Sequence, residues 1–166
     1  MGMSAVGPEC SGVSAAAAST EVCAVRLGRA RFGVPIRSIL EIVGSTRPRP
    51  VPLAPEFVGG LVHYRGDVLT AVSLRRLLDL PDVEGGQAVL VIEEEGCCFG
   101  LQVDAVEEVL ELQAGAYEPN PSTLDDRRKG LFAGAYKLPE GLLVMLEPGR
   151  LDPARLCAAR AAGMTE

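Results

Sequence analysis

Apolar and polar positions alternate over short runs in this chain, and each run closes on a turn bearing glycine or proline. A period of two is the pattern of half-buried strands. It predicts a strand over residues 21–27, a turn at Gly28 and a returning strand over 31–34, with Pro35 interrupting the pairing. Residues 36–43 hold Ile36, Ile39, Leu40, Ile42 and Val43, a spacing that suits one helical turn and then a strand. Pro48, Pro50, Pro52 and Pro55 make 44–55 an extended connector, since each proline pushes its predecessor toward β or polyproline geometry.

The stretch 57–78 organises the rest. Gly59-Gly60 leads a run at 61–64, Arg65-Gly66-Asp67 turns it, and 68–74 returns into a short helical end at 75–78. Glycine tolerates the positive φ that such tight hairpin turns demand. A polar loop over 79–86 follows. Strands are then expected at 87–92, 97–103 and 105–112, with a long polar segment over 114–130. A further hairpin, 131–138 with 142–146, closes around Pro139-Glu140-Gly141, and the Ala- and Arg-rich 153–162 predicts a helix.

The chain repeats itself. Residues 32–43 match 99–110 without a gap: Phe32-Gly33 with Phe99-Gly100, Ile39 with Val106, Glu41 with Glu108, and Ile42 with Val109. A second block aligns Gly60-Leu61 through Leu77 with Gly130-Leu131 through Leu151, across a longer turn. Two matched blocks in one order imply two similar small barrels of five or six short strands. Neither buries much alone, so they are expected to share an apolar core, with a groove between them as the natural binding surface.

Composition narrows the function. A chain of 166 residues suits one domain or two small subdomains. The expected division is a mobile Ala/Ser/Gly tail over 1–20, barrels over roughly 21–80 and 81–151 with terminal strands open to exchange, and a helical tail over 152–166. The tail lacks the basic start and Leu-rich run of a signal peptide. A net charge of -6 and a pI near 4.9 argue against nucleic-acid binding, and no apolar run reaches the ~20 residues of a membrane helix. Five cysteines, an odd count without a CxxC spacing, and one histidine argue against a disulfide framework or a zinc site and favour a reducing compartment.

Candidate chemistry is sparse. No phosphate-binding glycine loop or nucleophile elbow occurs. His63 reads as a strand-surface residue, and nothing in the hairpin brings it to Ser73. Glu107-Glu108 are expected on opposite faces of a strand, wrong for a shared proton or metal. Cys97-Cys98 read as small strand residues, and Arg75-Arg76 and Arg127-Arg128-Lys129 as solvated charge or an acidic partner's docking patch. No cofactor is expected, and no catalysis.

Three motifs, in order, carry a resemblance. Residues 27–43, with Phe32-Gly33-Val34-Pro35-Ile36 and Glu41-Ile42, precede Pro50-Val51-Pro52 and Phe57-Val58-Gly59-Gly60, and then the hairpin with Arg65-Gly66 and Leu74-Arg75. Over residues 22–151 the chain resembles the CheW-like family, the coupling proteins of bacterial chemotaxis. The resemblance implies a mainly β fold of two SH3-like five-stranded barrels, a cytoplasmic location and a non-enzymatic adaptor. The implied partners are the cytoplasmic tip of a chemoreceptor and the regulatory domain of a CheA-like histidine kinase. The implied partner-binding positions are Ile39, Gly60, Arg65, Val106 and Val109, with Glu41 as a charge at the interface. Departures from the family motif are His63-Tyr64 for its Asn-Leu, Thr70 for its proline, Ser73 for its aspartate, and the closing segment 146–151. These point to a divergent member, either an adaptor of a motility or pili system or one with a single partner lost. The alternative of another class is a small-ligand-binding or hydrolytic barrel.

Overall fold

The computed structural model describes residues 19–44, 47–83 and 87–164. Residues 1–18 of the tail expected over 1–20, and the side chains of residues 19, 126–128 (hence Arg127 and Arg128) and 160–164, lie outside the described residues, while Ser19 and Thr20 belong to the first strand. The chain opens with β1 (Ser19–Leu27) and β2 (Ala30–Pro35), makes a 3-10 turn at Ile36–Ser38, and continues as β3 (Ile39–Gly44). The central hairpin is β4 (Val58–Tyr64) and β5 (Asp67–Ser73), ending in α1 (Leu74–Leu77). The second half supplies β6 (Ala88–Glu94), β7 (Cys97–Val103), β8 (Ala105–Gln113) and a short β9 (Tyr117–Glu118). It closes with α2 (Asp126–Leu131), β10 (Phe132–Leu138), β11 (Gly141–Leu146) and α3 (Pro153–Met164).

These strands form two sheets, β8-β1-β2-β11-β10-β9 and β3-β6-β7-β5-β4. Neither is confined to one half of the chain. Each half lends its opening hairpin, β1–β2 or β6–β7, to the sheet of the other. The repeat accounts for this: replacing each strand by its equivalent converts β3-β6-β7-β5-β4 into β8-β1-β2-β11-β10, with the parallel pair in the same place, β5 on β7 and β11 on β2. Each sheet makes one SH3-like β subdomain.

The hairpin exchange decides where the core lies. Cys23, Val25, Phe32 and Val34 from one sheet and Val72, Leu90, Ile92, Phe99 and Leu101 from the other enter a single buried cluster. Smaller clusters fill the other face of each sheet, Val22, Ala24, Leu112, Leu143 and Met145 in one, Val62, Ala71 and Val89 in the other. Each large apolar side chain placed in the shared core is worth about 1.5–3 kcal/mol, so neither subdomain is expected to stand without its neighbour. Leu156 of α3 joins this core too.

Several expectations are corrected. The segment 114–130 is not a plain loop; it carries a 3-10 turn, β9 and α2. The second repeat block is misaligned at its start. Ser73 donates its amide to the Phe57 carbonyl at 2.8 Å, and Glu147 to that of Leu131 at 2.9 Å, so Phe57 corresponds to Leu131. Gly60 therefore corresponds to Gly134 rather than Gly130, and the two hairpins have turns of one length. Both glycines sit at bulges with positive φ, 145° and 134°. Gly60 is the stricter case: a Cβ there would lie 2.4 Å from the Arg49 carbonyl oxygen. Gly60 thus lets the proline-rich linker lie on β4, where Arg49 pairs with Leu61.

Candidate functional site

The expected partner-facing residues fall on the edge strands β3 and β8, on β4 (Gly60) and on the β4–β5 turn. Both edge strands carry a bulge at the same point of the repeat. In β3, Ile39 pairs with Ile92 and Ile42 with Leu90; in β8, Val106 pairs with Val25 and Val109 with Cys23. All four partners belong to the shared core. Residues directly opposite across antiparallel strands share a face. Ile39, Ile42, Val106 and Val109 thus stand on the face that each sheet turns toward the other, at its outer edge. Ile39 and Val106 pack half-buried on the core, while Ile42 and Val109 are 44% and 59% exposed. Ile42 was not among the expected site residues, although the repeat marks it as the counterpart of Val109.

The bulges also redirect the residues beside these four. Two residues of β8, Glu107 and Glu108, stand opposite Ala24 alone, which breaks the strict alternation of faces. The expectation that they point apart therefore fails. Arg31 reaches both, at 2.9 Å to Glu107 and 3.8 Å to Glu108, and also Glu140 at 3.2 Å. Partial burial works to lower the Arg31 pKa, but hydrogen bonds to Glu107 and Glu140 outweigh it and raise it. Glu41, the counterpart of Glu108, instead takes Arg65 directly at 3.3 Å. Arg65 and Gly66 have φ of 51° and 84°, as a type I′ turn requires. The Arg65 guanidinium also lies 5.1 Å from the centre of the Tyr64 ring. Gly60 is buried under the linker and presents no side chain.

Arg75 and Arg76 are not free solvated charge. Arg75 grips Asp104 with two hydrogen bonds, 2.8 Å from Nε and 2.6 Å from Nη2, and Asp104 also accepts the Gly28 amide at 2.8 Å. The Arg75 hydrogen bond, reinforced by that amide, holds the Asp104 carboxyl below its ordinary pKa against the opposing effect of burial. Arg76 pairs with Asp82 at 3.0 Å. Ser73, standing where the family has aspartate, caps α1 by accepting the Arg76 amide at 3.3 Å. His63 is exposed beside the turn, while Ser73 lies at the far end of the hairpin. Cys97 and Cys98 are exposed rather than packed, and both are free thiols.

A cleft of about 250 Å³ opens beside the linker, with Arg47, Arg76, Gln87 and Gln102 in its wall. Its Arg75 and Arg76 are already engaged by Asp104 and Asp82. Among the described residues no cluster suited to a metal ion occurs, and no helix is long and apolar enough to cross a membrane.

Paired SH3-like subdomains around one core, with bare aliphatic positions on both edge strands, define a binding module of the double-barrel class. The family model for the CheW-like domain matches residues 21–154, and the chain belongs to that family. It is 28% identical over 136 residues to the chemotaxis protein CheW of Rhizobium meliloti, covering 81% of this chain and 88% of the relative. Over 122 residues it is 29% identical to that of Helicobacter pylori, covering 72% and 73%. A shorter match, 38% over 53 residues, joins it to Protein FrzA of Myxococcus xanthus, covering 32% and 33%. Among solved structures, the scaffolding protein TtCheW of Thermoanaerobacter tengcongensis has the same fold, with a TM-score of 0.69 at 23% identity, covering 77% of this chain and 88% of that one.

Proposed function

We propose that this protein is a non-enzymatic, cytoplasmic adaptor of chemotaxis-type signalling that couples a chemoreceptor tip to the regulatory domain of a histidine kinase. The observation that carries this reading is the family match over residues 21–154, which takes in strands of both sheets. The receptor surface is the pair of groove walls built by Ile39 and Ile42 on β3 and Val106 and Val109 on β8, with Glu41 and Arg65 as its charged rim. Exposed aliphatic side chains at the edge of an apolar core suit the apolar face of a partner helix. Gly60 contributes shape alone, by seating the linker. The Ser73 departure does not strip the hairpin arginines of carboxylates, because Glu41, Asp104 and Asp82 take that place. This supports retention of both partners.

Calorimetric titration of the protein with a receptor-tip fragment and with the kinase regulatory domain tests the reading. Both are expected to bind, and Arg65→Ala and Val106→Asp to weaken the receptor alone. Binding of one partner only would assign the protein to a specialised adaptor role. Binding of neither would sink the proposal.

A further inference from the structure

The two barrels are tied together at two places that the repeat relates to one another. In the first, Arg75 on α1, the helix that follows β5 of one sheet, reaches Asp104, and Asp104 holds the amide of Gly28 in the β1–β2 turn of the other sheet. In the second, Arg155 on α3, the helix that follows the last strand of that other sheet, reaches back to Glu95 in the β6–β7 turn at 2.5 Å and donates to the Gly149 carbonyl at 3.1 Å. Glu95 is the repeat counterpart of Gly28, and Gly149 is that of Arg75. The same two places are thus joined twice with different chemistry, Arg75 acting on the opening turn through Asp104 and Arg155 reaching the opening turn directly.

The two joints differ in stiffness. The side chains of Arg75 and Asp104 are only 12% and 16% exposed, and a planar guanidinium held by two parallel bonds permits little rotation. Those of Arg155 and Glu95 are 55% and 62% exposed, so water competes for each and salt screens the pair. Next to the second joint, α3 rests on the core through Leu156 alone among its described residues.

We infer that, on top of the shared core, two arginine clamps of unequal stiffness restrain the angle between the barrels, and that α3 carries the yielding one. Arg155 is then a positioning residue: it acts on the spacing between β3 and β8 without itself facing that groove. The inference concerns the isolated protein and does not depend on which partner the groove takes.

The test is a distance distribution between spin labels on exposed, repeat-related positions, Val68→Cys and Leu142→Cys, with Cys10, Cys97, Cys98 and Cys157 replaced by serine and no partner present. Arg155→Ala and Glu95→Asn, the latter suited to the left-handed turn, are each expected to roughly double the width of the distribution. The melting temperature should fall by no more than about 4 °C. Arg155→Lys, which keeps a cation for Glu95 and a donor for the Gly149 carbonyl, should stay closer to the parental width than Arg155→Ala. An unchanged width in Arg155→Ala or in Glu95→Asn overturns the inference. So does an Arg155→Lys variant as broad as Arg155→Ala, because that would mark a loss of packing rather than of the clamp.

Discussion

Glu41 and Arg65 meet at 3.3 Å although they belong to opposite ends of one sheet, Glu41 on the edge strand β3 and Arg65 in the turn that closes β4 on β5. The pair therefore spans the seam where the sheet curls on itself. In the other barrel Glu108 stands in the place of Glu41 while Pro139 takes that of Arg65, and Arg31 from β2 lies between Glu108 and the next turn residue, Glu140. One seam is closed by a direct ion pair and its counterpart by a bridging cation.

Because the Glu41–Arg65 pair is exposed, removing it should cost the fold little. Arg65→Ala, Glu41→Ala and the double variant are expected to lose about 0–1 kcal/mol in urea unfolding. Receptor-tip affinity in the same variants should fall by about tenfold or more. An unfolding cost above roughly 2 kcal/mol with affinity intact would make the pair a brace rather than part of the binding rim.

Ile42 and Val109 should behave alike. Each is exposed and sits at the same point of the repeat, so Ile42→Asp and Val109→Asp are expected to leave stability within about 1 kcal/mol of the parent. Each should weaken receptor binding by roughly tenfold or more, since a carboxylate would lose its water on contact with an apolar partner. Calorimetry on the two variants side by side checks this. A large effect at Val109 and none at Ile42 would confine the contact to one barrel.

The Arg75–Asp104 pair is mostly buried, and breaking it strands a charge. Arg75→Ala should cost roughly 2–4 kcal/mol in urea unfolding. The pH dependence follows from the Asp104 carboxyl, whose folded pKa is lowered from the ordinary 3.8, first by the Arg75 hydrogen bond. A depressed folded pKa means stability that is fully present above the unfolded value and is lost as the pH falls through the folded one. The parent should therefore lose this contribution below about pH 4. Asp104→Asn should be less stable at neutral pH and show a shallower decline through the acid range. Parallel acid profiles for parent and variant would remove the pair from the account of acid unfolding.

Gly60 and Gly134 occupy one place in the repeat with different neighbours. An added methyl at Gly60 strikes the Arg49 carbonyl, fixed by its pairing with Leu61; at Gly134 it strikes the ring of Tyr117, a side chain that can turn aside. Both pay for positive φ. Gly60→Ala should cost about 2–4 kcal/mol and Gly134→Ala measurably less. Thermal melts of the two variants rank them, and the reverse order would show that the linker moves more easily than the ring.

Much of the fold can be read in the chain itself. Alternation located the strands, the Phe32-Gly33 and Phe99-Gly100 blocks revealed the repeat, and Arg65-Gly66 marked its hairpin. These are local signals: periodicity, turn chemistry and matched spacing act within a few residues. The same repeat already paired Ile39 with Val106 and Ile42 with Val109.

What only the tertiary structure decided is which strands meet. Exchange of the β1–β2 and β6–β7 hairpins joins residues far apart in sequence, and alternation reads the same whichever sheet a strand enters. The bulges that bring Glu107 and Glu108 to one arginine shift register by a single residue, below what a period of two can resolve. Partners for Arg75 and Arg155 likewise follow from how the barrels close on each other. The chain alone thus determined most of its strands and the first block of their repeat. The pairing of those elements set the groove, the seams and the clamps, because long-range packing fixes side-chain contacts that no local pattern encodes.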